Sequence, residues 1–259
     1  MAAYNMAHFA HDVSFKGTPR VFLSMPPALK QERVYLIQMT KKRYIQPCVY
    51  CHSNADLTRD HVPPKCFFPK PRPADLITVP ACRRCNQHHE KDEEFFLASL
   101  MFSDAGIGEA GRALWQQTVR SMLFRKRGVG KAIRTLLRPV ELRSPAGLYL
   151  RNGYALEIDY ARLESVVRKI VKGLYFHEFG EPLVAQAQVE SNWLNTRSVA
   201  SQARPYVERL PHGSRSWPGV FEYRCGRTDE APDKSIWLMM FFGVGVFWSI
   251  TGVWTDVSR

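Results

Sequence analysis

The segment from Cys48 to His89 reads CVYCHSNADLTRDHVPPKCFFPKPRPADLITVPACRRCNQHH. It contains two Cys-x-x-Cys pairs, Cys48 with Cys51 and Cys82 with Cys85, and 30 residues separate the two pairs. Each pair places two thiolates on a tight turn, and two such turns together form the tetrahedral four-sulfur site that zinc prefers. Because the cysteines fill all four positions, no ligand position remains open for a substrate. The spacing therefore predicts one structural Zn²⁺.

The other features of the cysteines agree with metal binding. The N-terminus, MAAYNMAHFAHDVSF, has no basic region followed by an unbroken apolar run, so we expect no secretory signal and a cytoplasmic protein. In a reducing compartment, close cysteine pairs are metal ligands more often than disulfides. Cys66 and Cys225 have no partner nearby in the sequence, and we expect them to be ordinary thiols.

Several polar residues in the same segment are not needed to bind zinc. Asp60 and His61 are adjacent, Asn86 directly follows the last cysteine, and His88 and His89 come shortly after it. A hard cation such as Mg²⁺ prefers oxygen ligands, which Asp60 and Asn86 offer. An imidazole with a pKa near neutrality can take a proton from water. Together these groups predict metal-assisted hydrolysis of a phosphodiester.

The combined pattern resembles the HNH nucleases, in particular the branch in which two zinc-binding turns bracket the motif. The residues that carry the resemblance are DHVPPK at 60–65, DL at 75–76 and the C-x-x-CN-x-x-H run at 82–89. The resemblance covers roughly residues 45–95, about a fifth of the chain. It implies a small ββα-metal module, in which two short antiparallel strands and a loop precede a helix that begins near Cys85.

The resemblance also implies roles for individual residues. His61 matches the general base of the family, and Asp60 matches a ligand of the catalytic cation. Asn86 matches the position of a second ligand, and His89 matches the last position of the motif and completes the site. Since His88 and His89 point about 100° apart on a helix, at most one of them reaches the cation comfortably, and we expect His89.

The middle residue of the HNH motif departs from the family pattern. Relatives usually carry an asparagine there, which orients the base through its side chain. In this chain the matching dipeptide is Asp75–Leu76. An aspartate at this position can accept a hydrogen bond from His61 and raise its basicity, so we expect Asp75 to take part in catalysis.

Positive charge is concentrated outside the cysteine-rich segment. The chain has a formal net charge of +12, but residues 44–100 hold seven basic and seven acidic residues. Residues 112–143 hold nine basic residues against Glu141 alone. A strongly basic protein is attracted to polyanions such as nucleic acid, although a basic run is also typical of a solvated helix face. The residues that we expect to contact nucleic acid are Lys65, Arg125, Lys126, Arg127, Lys131 and Arg134.

Changes in composition divide the chain into three parts, which together predict an α+β protein. Residues 1–43 form an N-terminal extension with a helix near 28–40 and a basic cluster at its end. Residues 44–100 form the nuclease module. Residues 101–259 form an accessory domain of helices and antiparallel strands, with a basic helical segment at 107–143.

Local patterns predict the first elements of the accessory domain. Residues 107–138 are expected to form one or two helices, interrupted at Gly128–Gly130 and stopped by Pro139. The sequence LYLRNGYALEI at 148–158 then predicts a hairpin, because Asn152–Gly153 suits a type I′ turn.

The next segment has the clearest helical periodicity in the chain. Apolar residues recur at a spacing of three and four between positions 160 and 174. Asp159 is a suitable N-cap, and Gly180 lies beyond the expected end. This pattern predicts a helix that packs into the core, and we assign it no chemistry.

The uncharged segment 236–254 has the length of a membrane-spanning helix, which leaves membrane association open. Its aromatic and β-branched residues and its glycines instead favour two buried strands, joined near Gly243–Gly245. A further strand is expected near 218–224.

These observations favour a metal-dependent endonuclease that hydrolyses DNA with Mg²⁺ or a similar divalent cation. The alternative is a zinc-ribbon protein that binds nucleic acid without cutting it. That alternative accounts for the zinc site and the basic flank, but it leaves Asp60, His61 and Asn86 unexplained. In both cases we expect nucleic acid as the partner and no membrane.

Overall fold

The computed structural model describes residues 46–103, 108–121, 127–194 and 208–254. Helices and antiparallel strands are mixed within these ranges, which agrees with the α+β class predicted from the sequence. The predicted helix near 28–40 lies outside the described residues.

Two short antiparallel strands follow the first cysteine pair. Strand β1 (Leu57–His61) pairs with strand β2 (Thr78–Cys82), so that Leu57 lies opposite Cys82 and His61 lies opposite Thr78. The connection between them contains one short 3-10 turn, Lys65–Phe67. Proline fixes φ and lacks an N–H donor, so the five prolines of this connection prevent a longer helix or strand.

Two helices continue directly from β2. Helix α1 (Arg83–His88) begins after Cys82, whose sulfur accepts a hydrogen bond from the backbone N–H of Cys85. Helix α2 (Glu90–Ser103) follows and has three acidic residues in its first turn, where the helix dipole favours negative charge. Two antiparallel strands and a helix therefore follow one another in this part of the chain.

A four-stranded antiparallel sheet forms the C-terminal half of the protein. Its strand order is β5–β8–β7–β6. The strands are β5 (Gln188–Trp193), β6 (Phe221–Arg227), β7 (Ser235–Phe241) and β8 (Gly245–Gly252).

The uncharged C-terminal segment forms β7 and β8, as its composition predicted. The turn between them contains Phe242 and Gly243 with φ of 55° and 73°. Positive φ at both central residues is the signature of a type I′ turn, whose twist matches the two strands. No helix in the described ranges has both the length and the apolar character needed to cross a membrane.

Helix α5 (Tyr160–Phe179) precedes β5 in the sequence and has the predicted caps. The side chain of Asp159 accepts a hydrogen bond from the backbone N–H of Arg162 at 3.4 Å. Gly180 ends the helix in the left-handed conformation, with φ of 77°. The apolar stripe predicted from the periodicity is buried from Leu163 to Leu174, but Tyr160 at its start is 59% exposed.

One hydrophobic core extends from the cysteine-rich segment to the C-terminal sheet. Phe67 stacks on Phe96 with ring centroids 5.4 Å apart, and both rings meet Phe241 of β7 edge-on. On the other side, α5 approaches the end of β1 so closely that a Cβ on Gly173 would lie 2.5 Å from Cγ2 of Val62. Helix α5 and the sheet thus complete the core of the segment that carries the motif.

The predicted hairpin turn at Asn152–Gly153 is wrong. Strand β4 (Tyr149–Leu156) continues through both residues and pairs with the preceding strand β3 (Leu137–Arg143). The turn comes before β4 and contains Gly147, with φ of 85°. The glycine of the dipeptide is explained by packing instead, because a Cβ there would lie 3.0 Å from Cδ1 of Leu142 on β3.

The basic segment also differs from its prediction. Helix α4 (Arg127–Leu136) runs through Gly128–Gly130, so the glycines do not interrupt it. Before it, helix α3 (Glu109–Leu114) continues into a π-helical turn at Trp115–Val119. Pro139 does not stop a helix but lies within β3. Both strands of a two-stranded ribbon are edge strands, which tolerate the missing N–H of proline.

Candidate functional site

Four cysteine side chains meet at the end of the β1–β2 pair where Leu57 lies opposite Cys82. They are Cys48, Cys51, Cys82 and Cys85, and their sulfur atoms all lie within 4.8 Å of one another. The sulfurs of Cys51 and Cys82 are 3.7 Å apart. Metal–sulfur distances of about 2.3 Å in a tetrahedron give sulfur separations of about 3.8 Å, whereas a disulfide requires about 2.05 Å. The four cysteines can therefore hold one metal ion.

Local hydrogen bonds shape the two cysteine turns. In the first turn, the backbone N–H of His52 donates to the carbonyl of Cys48 at 2.8 Å, and His52 has a left-handed φ of 60°. In the second, the N–H of Cys85 donates to the sulfur of Cys82 at 3.4 Å, which lowers the pKa of Cys82. These contacts lie within each short motif, so the spacing in the sequence was sufficient to predict the cluster.

The other two cysteines, Cys66 and Cys225, lie outside the cluster. Burial raises the pKa of each thiol to about 12. A buried thiol that stays protonated is a poor nucleophile, and neither sulfur lies among the cysteines that form the cluster. Both residues therefore act as ordinary apolar side chains, as expected.

The carboxylate of Asp60 lies towards the other end of the β1–β2 pair and is only 7% exposed. Its Oδ2 accepts hydrogen bonds from the Tyr50 hydroxyl at 2.9 Å and from the ammonium group of Lys169 at 2.8 Å. Its Oδ1 accepts no hydrogen bond from the described residues and retains some contact with solvent. Oδ1 is thus the oxygen that can ligate a cation.

Strand β1 fixes the side-chain amide of Asn86. Its Nδ2 donates to Oγ1 of Thr58 at 3.0 Å and to the carbonyl of Arg59 at 3.2 Å, while the Thr58 hydroxyl donates to the carbonyl of Ala81. Because both bonds need an N–H donor, they define the orientation of the amide, and its Oδ1 accepts no hydrogen bond from the part of the chain that the structure describes. Thr58 and Asp60 lie two residues apart and so point to the same face of β1, with Cα atoms about 6.6 Å apart; the amide is therefore anchored on the strand that carries Asp60.

His61 is the last residue of β1 and is half-buried. Burial lowers the pKa of its ring, and the positive charges of Lys65 and Arg72 lower it further, while Asp60 acts in the opposite direction. The ring is therefore predominantly neutral at pH 7, which is the form that a general base needs.

Asp75 does not contact His61. Its carboxylate accepts hydrogen bonds from Arg215 at 3.2 Å and from Nε1 of Trp217 at 3.3 Å. The expected hydrogen bond from His61 to Asp75 is thus not formed, because the loop before β2 turns this side chain towards the 215–217 segment. A carboxylate held in this way ties the loop to the C-terminal half of the chain.

Of the two consecutive histidines, His89 is the better placed for a role at this site. Its Nδ1 is hydrogen-bonded to Oγ of Ser165 at 3.1 Å, whereas His88 is exposed and its ring lies at 83° to that of His89. Burial lowers the pKa of His89 to about 4, with a further contribution from Lys169. The neutral ring can ligate a cation through Nε2 when Nδ1 carries the proton and donates to Ser165.

Lys169, whose side chain is 2% exposed, is a site residue that was not predicted from the sequence. Its ammonium group forms ion pairs with Asp60 at 2.8 Å and with Glu93 at 2.5 Å. Burial lowers the pKa of Lys169, but the attraction of the two carboxylates and their hydrogen bonds outweighs this effect and raises the net pKa. The one available signal was the position of Lys169, three residues after Val166, on the buried side of the predicted helix.

The buried cluster of Asp60, Glu93 and Lys169 contains two carboxylates and one ammonium group. One negative charge is therefore in excess when all three groups are ionised. An uncompensated buried charge is unfavourable, and burial raises the pKa of Glu93. A cation bound at Oδ1 of Asp60 would offset this excess negative charge.

The predicted nucleic-acid contacts are only partly described. Lys65 and Arg72 are exposed beside His61, and the side chain of Arg72 donates to the carbonyl of Lys65 at 3.0 Å. Lys131 and Arg134 are exposed on α4. Arg125 and Lys126 lie outside the described residues, and only the backbone of Arg127 is described.

Comparison of the chain with protein-family models, with curated proteins and with solved structures gave no match.

Proposed function

We propose that this chain is a metal-dependent endonuclease of the HNH type that hydrolyses phosphodiester bonds of DNA. The observation that carries the proposal is the arrangement of Asp60 and Asn86. Each has one polar atom fixed by protein hydrogen bonds, and each keeps an oxygen that accepts no hydrogen bond from the described residues. A carboxylate oxygen of β1 and an amide oxygen anchored on β1 are the kinds of ligand that a hard divalent cation such as Mg²⁺ prefers.

In this proposal each residue of the site has a separate role in hydrolysis. The bound cation would stabilise the negative charge that develops on the phosphate. Asp60, Asn86 and His89 would hold it, each through an atom that has no hydrogen-bond partner among the described residues. His61 takes a proton from the attacking water, and its neutral ring is ready to do so.

The four-cysteine cluster has a structural role in this proposal. We assign it one Zn²⁺, because four sulfur ligands complete a tetrahedral site and leave no open position. The zinc would fix the two ends of the segment that carries Asp60, His61 and Asn86. It takes no part in the reaction.

Charge supports nucleic acid as the partner. The chain has a formal net charge of +12, and the exposed side chains of Lys65 and Arg72 lie beside His61. These two groups would contact phosphates next to the scissile bond, while Lys131 and Arg134 would extend the contact along the backbone. Such contacts add affinity but do not distinguish one base sequence from another.

The test is cleavage of supercoiled plasmid by the purified full-length chain, with and without added Mg²⁺ or Mn²⁺. We expect the wild-type chain to nick or linearise the plasmid only when the cation is present. Loss of a general base lowers the rate by roughly 10²–10⁴-fold, so His61→Ala should leave almost no product. Zinc content, thermal stability and DNA affinity should remain close to those of the wild type, since His61 lies outside the cysteine cluster.

His212→Ala is the matched control, because His212 is exposed and belongs to neither cluster. This variant should cleave as the wild type does. Equal cleavage by the wild type and His61→Ala with every cation would refute the assignment of His61 and the nuclease proposal with it.

The second candidate is a zinc-containing module that binds nucleic acid without cutting it. One observation favours it: Oδ2 of Asp60 is already paired with Lys169 and Tyr50, an arrangement that a purely structural aspartate would also have. This candidate predicts bound zinc and salt-dependent DNA binding, with no cleavage by the wild type under any cation.

A further inference from the structure

One face of helix α5 makes polar contacts with the segment that carries the motif. Arg162 pairs with Asp92 at 2.7 Å, and Ser165 is hydrogen-bonded to His89 at 3.1 Å. Lys169 follows one turn later. Residues at 162, 165, 169 and 173 recur at intervals of three and four, so they form one stripe along the helix.

Lys169 lies at the centre of this stripe and is bound on two sides. Its ammonium group contacts Oδ2 of Asp60 and Oε1 of Glu93, and the Tyr50 hydroxyl donates to the same oxygen of Asp60. A carboxylate whose one oxygen has two fixed donors cannot rotate freely. Oδ1 is consequently held in one direction.

The backbone of α5 is fixed close to this point. Gly173 lies one turn beyond Lys169 and packs against Val62, where there is no room for a Cβ. Val62 is two residues after Asp60 in the sequence. The glycine contact therefore sets the distance from which Lys169 reaches the carboxylate.

We propose that Lys169 is a positioning residue of the nuclease site: it holds Asp60 so that Oδ1 faces the cation and Oδ2 is withheld from it. The inference rests on the proposed function, since it requires a cation at Asp60. It adds a residue that lies 80 positions beyond His89, the last residue of the motif, and it gives α5 a role in metal binding. Groups that orient metal ligands in this way typically change metal affinity by about 10–100-fold when they are lost.

The test must distinguish the effect of Lys169 on the orientation of Asp60 from the effect of its positive charge. Lys169→Met alone removes a positive charge near the cation and leaves two buried carboxylates without a counter-ion, which threatens folding. The double variant Lys169→Met/Glu93→Gln removes one positive and one negative charge, so the net charge of the cluster is unchanged. Lys172→Met is the control for the loss of a lysine from the same helix.

Two quantities are measured on the full-length, zinc-loaded chain: Mn²⁺ affinity from the electron paramagnetic resonance signal of the free ion, and the Mg²⁺ concentration for half-maximal plasmid cleavage. We expect the double variant to bind Mn²⁺ at least tenfold more weakly and to need correspondingly more Mg²⁺. Its zinc content should be unchanged, and its rate at saturating Mg²⁺ should recover most of the wild-type value. Lys172→Met should match the wild type in both measurements.

The outcomes distinguish the two proposals. A folded double variant with wild-type Mn²⁺ affinity overturns the positioning role, whatever the cleavage rates. Wild-type protein that binds Mn²⁺ but does not cleave refutes the nuclease, and weaker Mn²⁺ binding by the double variant would still support positioning. Wild-type protein that binds no Mn²⁺ overturns both. If the double variant does not fold, Lys169→Arg, which keeps the charge and moves the donors, replaces it, with the same tenfold criterion for Mn²⁺.

Discussion

The cysteine cluster and the Asp60 cluster lie towards opposite ends of the same two strands, and they are built in different ways. All four cysteines come from two short turns, each with a hydrogen bond inside it, and the backbone N–H of Val49 in the first turn also donates to the carbonyl of Pro80 on β2. The Asp60 cluster shares the first cysteine turn, through Tyr50, but its two other partners, Glu93 and Lys169, belong to α2 and α5.

The difference between the two ends shows what a short motif specifies. A Cys-x-x-Cys turn fixes its own geometry, so the cluster depends on little beyond those turns and the pairing of β1 with β2. The surroundings of Asp60 depend on the docking of a helix from a distant part of the chain. The two ends should therefore respond differently to changes in α5 and to changes in the cysteines.

We expect the largest loss of stability and cleavage when a cysteine of the four-cysteine cluster is replaced. Cys82→Ser removes a ligand of a site whose apparent binding energy, if it holds zinc, is roughly 10–16 kcal/mol. We expect loss of the bound zinc and unfolding of the motif segment, which removes cleavage as well. Metal analysis and circular dichroism measure both losses.

Cys66→Ser is the control for Cys82→Ser, because Cys66 belongs to the same segment but not to the cluster. It should keep one zinc per chain. A folded Cys82→Ser protein with no metal would mean that the strands do not depend on the cysteine cluster.

We expect a smaller loss of stability and of Mn²⁺ affinity when the packing of α5 against β1 is disturbed. Alanine is favoured over glycine inside a helix by about 1 kcal/mol, but at Gly173 its Cβ would lie 2.5 Å from Val62. Overpacking of this kind typically costs about 1–3 kcal/mol. We expect Gly173→Ala to lower the unfolding free energy and weaken Mn²⁺ binding, while the zinc content stays at that of the wild type.

Gly108→Ala serves as the control for Gly173→Ala, because a Cβ on Gly108 meets nothing within 4 Å. Because Gly108 is the N-cap of α3, where glycine is preferred to alanine, stability should fall by about 0.5–1 kcal/mol, and Mn²⁺ affinity should not change. A Gly173→Ala protein that is more stable than the wild type and binds Mn²⁺ normally would show that α5 is not closely docked on β1.

We expect the smallest loss of Mn²⁺ affinity when Thr58 is replaced, which lies on β1 between the cysteine cluster and Asp60. Thr58→Val removes the hydroxyl that accepts a hydrogen bond from Asn86, so the amide keeps only its bond to the carbonyl of Arg59. A net hydrogen bond contributes about 0.5–1.5 kcal/mol, and we expect Mn²⁺ affinity to fall by about 2–10-fold. Thr78→Val on the neighbouring strand should leave the affinity unchanged. An equal loss in both variants would assign the effect to the strands rather than to the amide.

Short-range patterns were sufficient for the features that are local in the chain. The cysteine spacing predicted the cluster, and the caps at Asp159 and Gly180 predicted the ends of α5. The composition of the C-terminal segment predicted β7 and β8 rather than a membrane-spanning helix.

Features that depend on a neighbour across the fold could not be predicted. Gly153 indicated a turn, because nothing in its own segment shows that Leu142 packs against it. Lys169 looked like an ordinary polar residue of a core helix, because its partners lie in other elements. Asp75 matched the motif by sequence, yet Arg215 and Trp217 bind its carboxylate.

The shared core has a practical consequence for anyone who wishes to isolate the motif segment. A fragment that ends near residue 100 would keep both cysteine pairs, but it would lose β7, whose Phe241 covers the rings of Phe67 and Phe96. Two aromatic side chains of the interior would then face water. A recombinant fragment designed on the limits of the motif should therefore be poorly soluble, and a usable one must extend through β8.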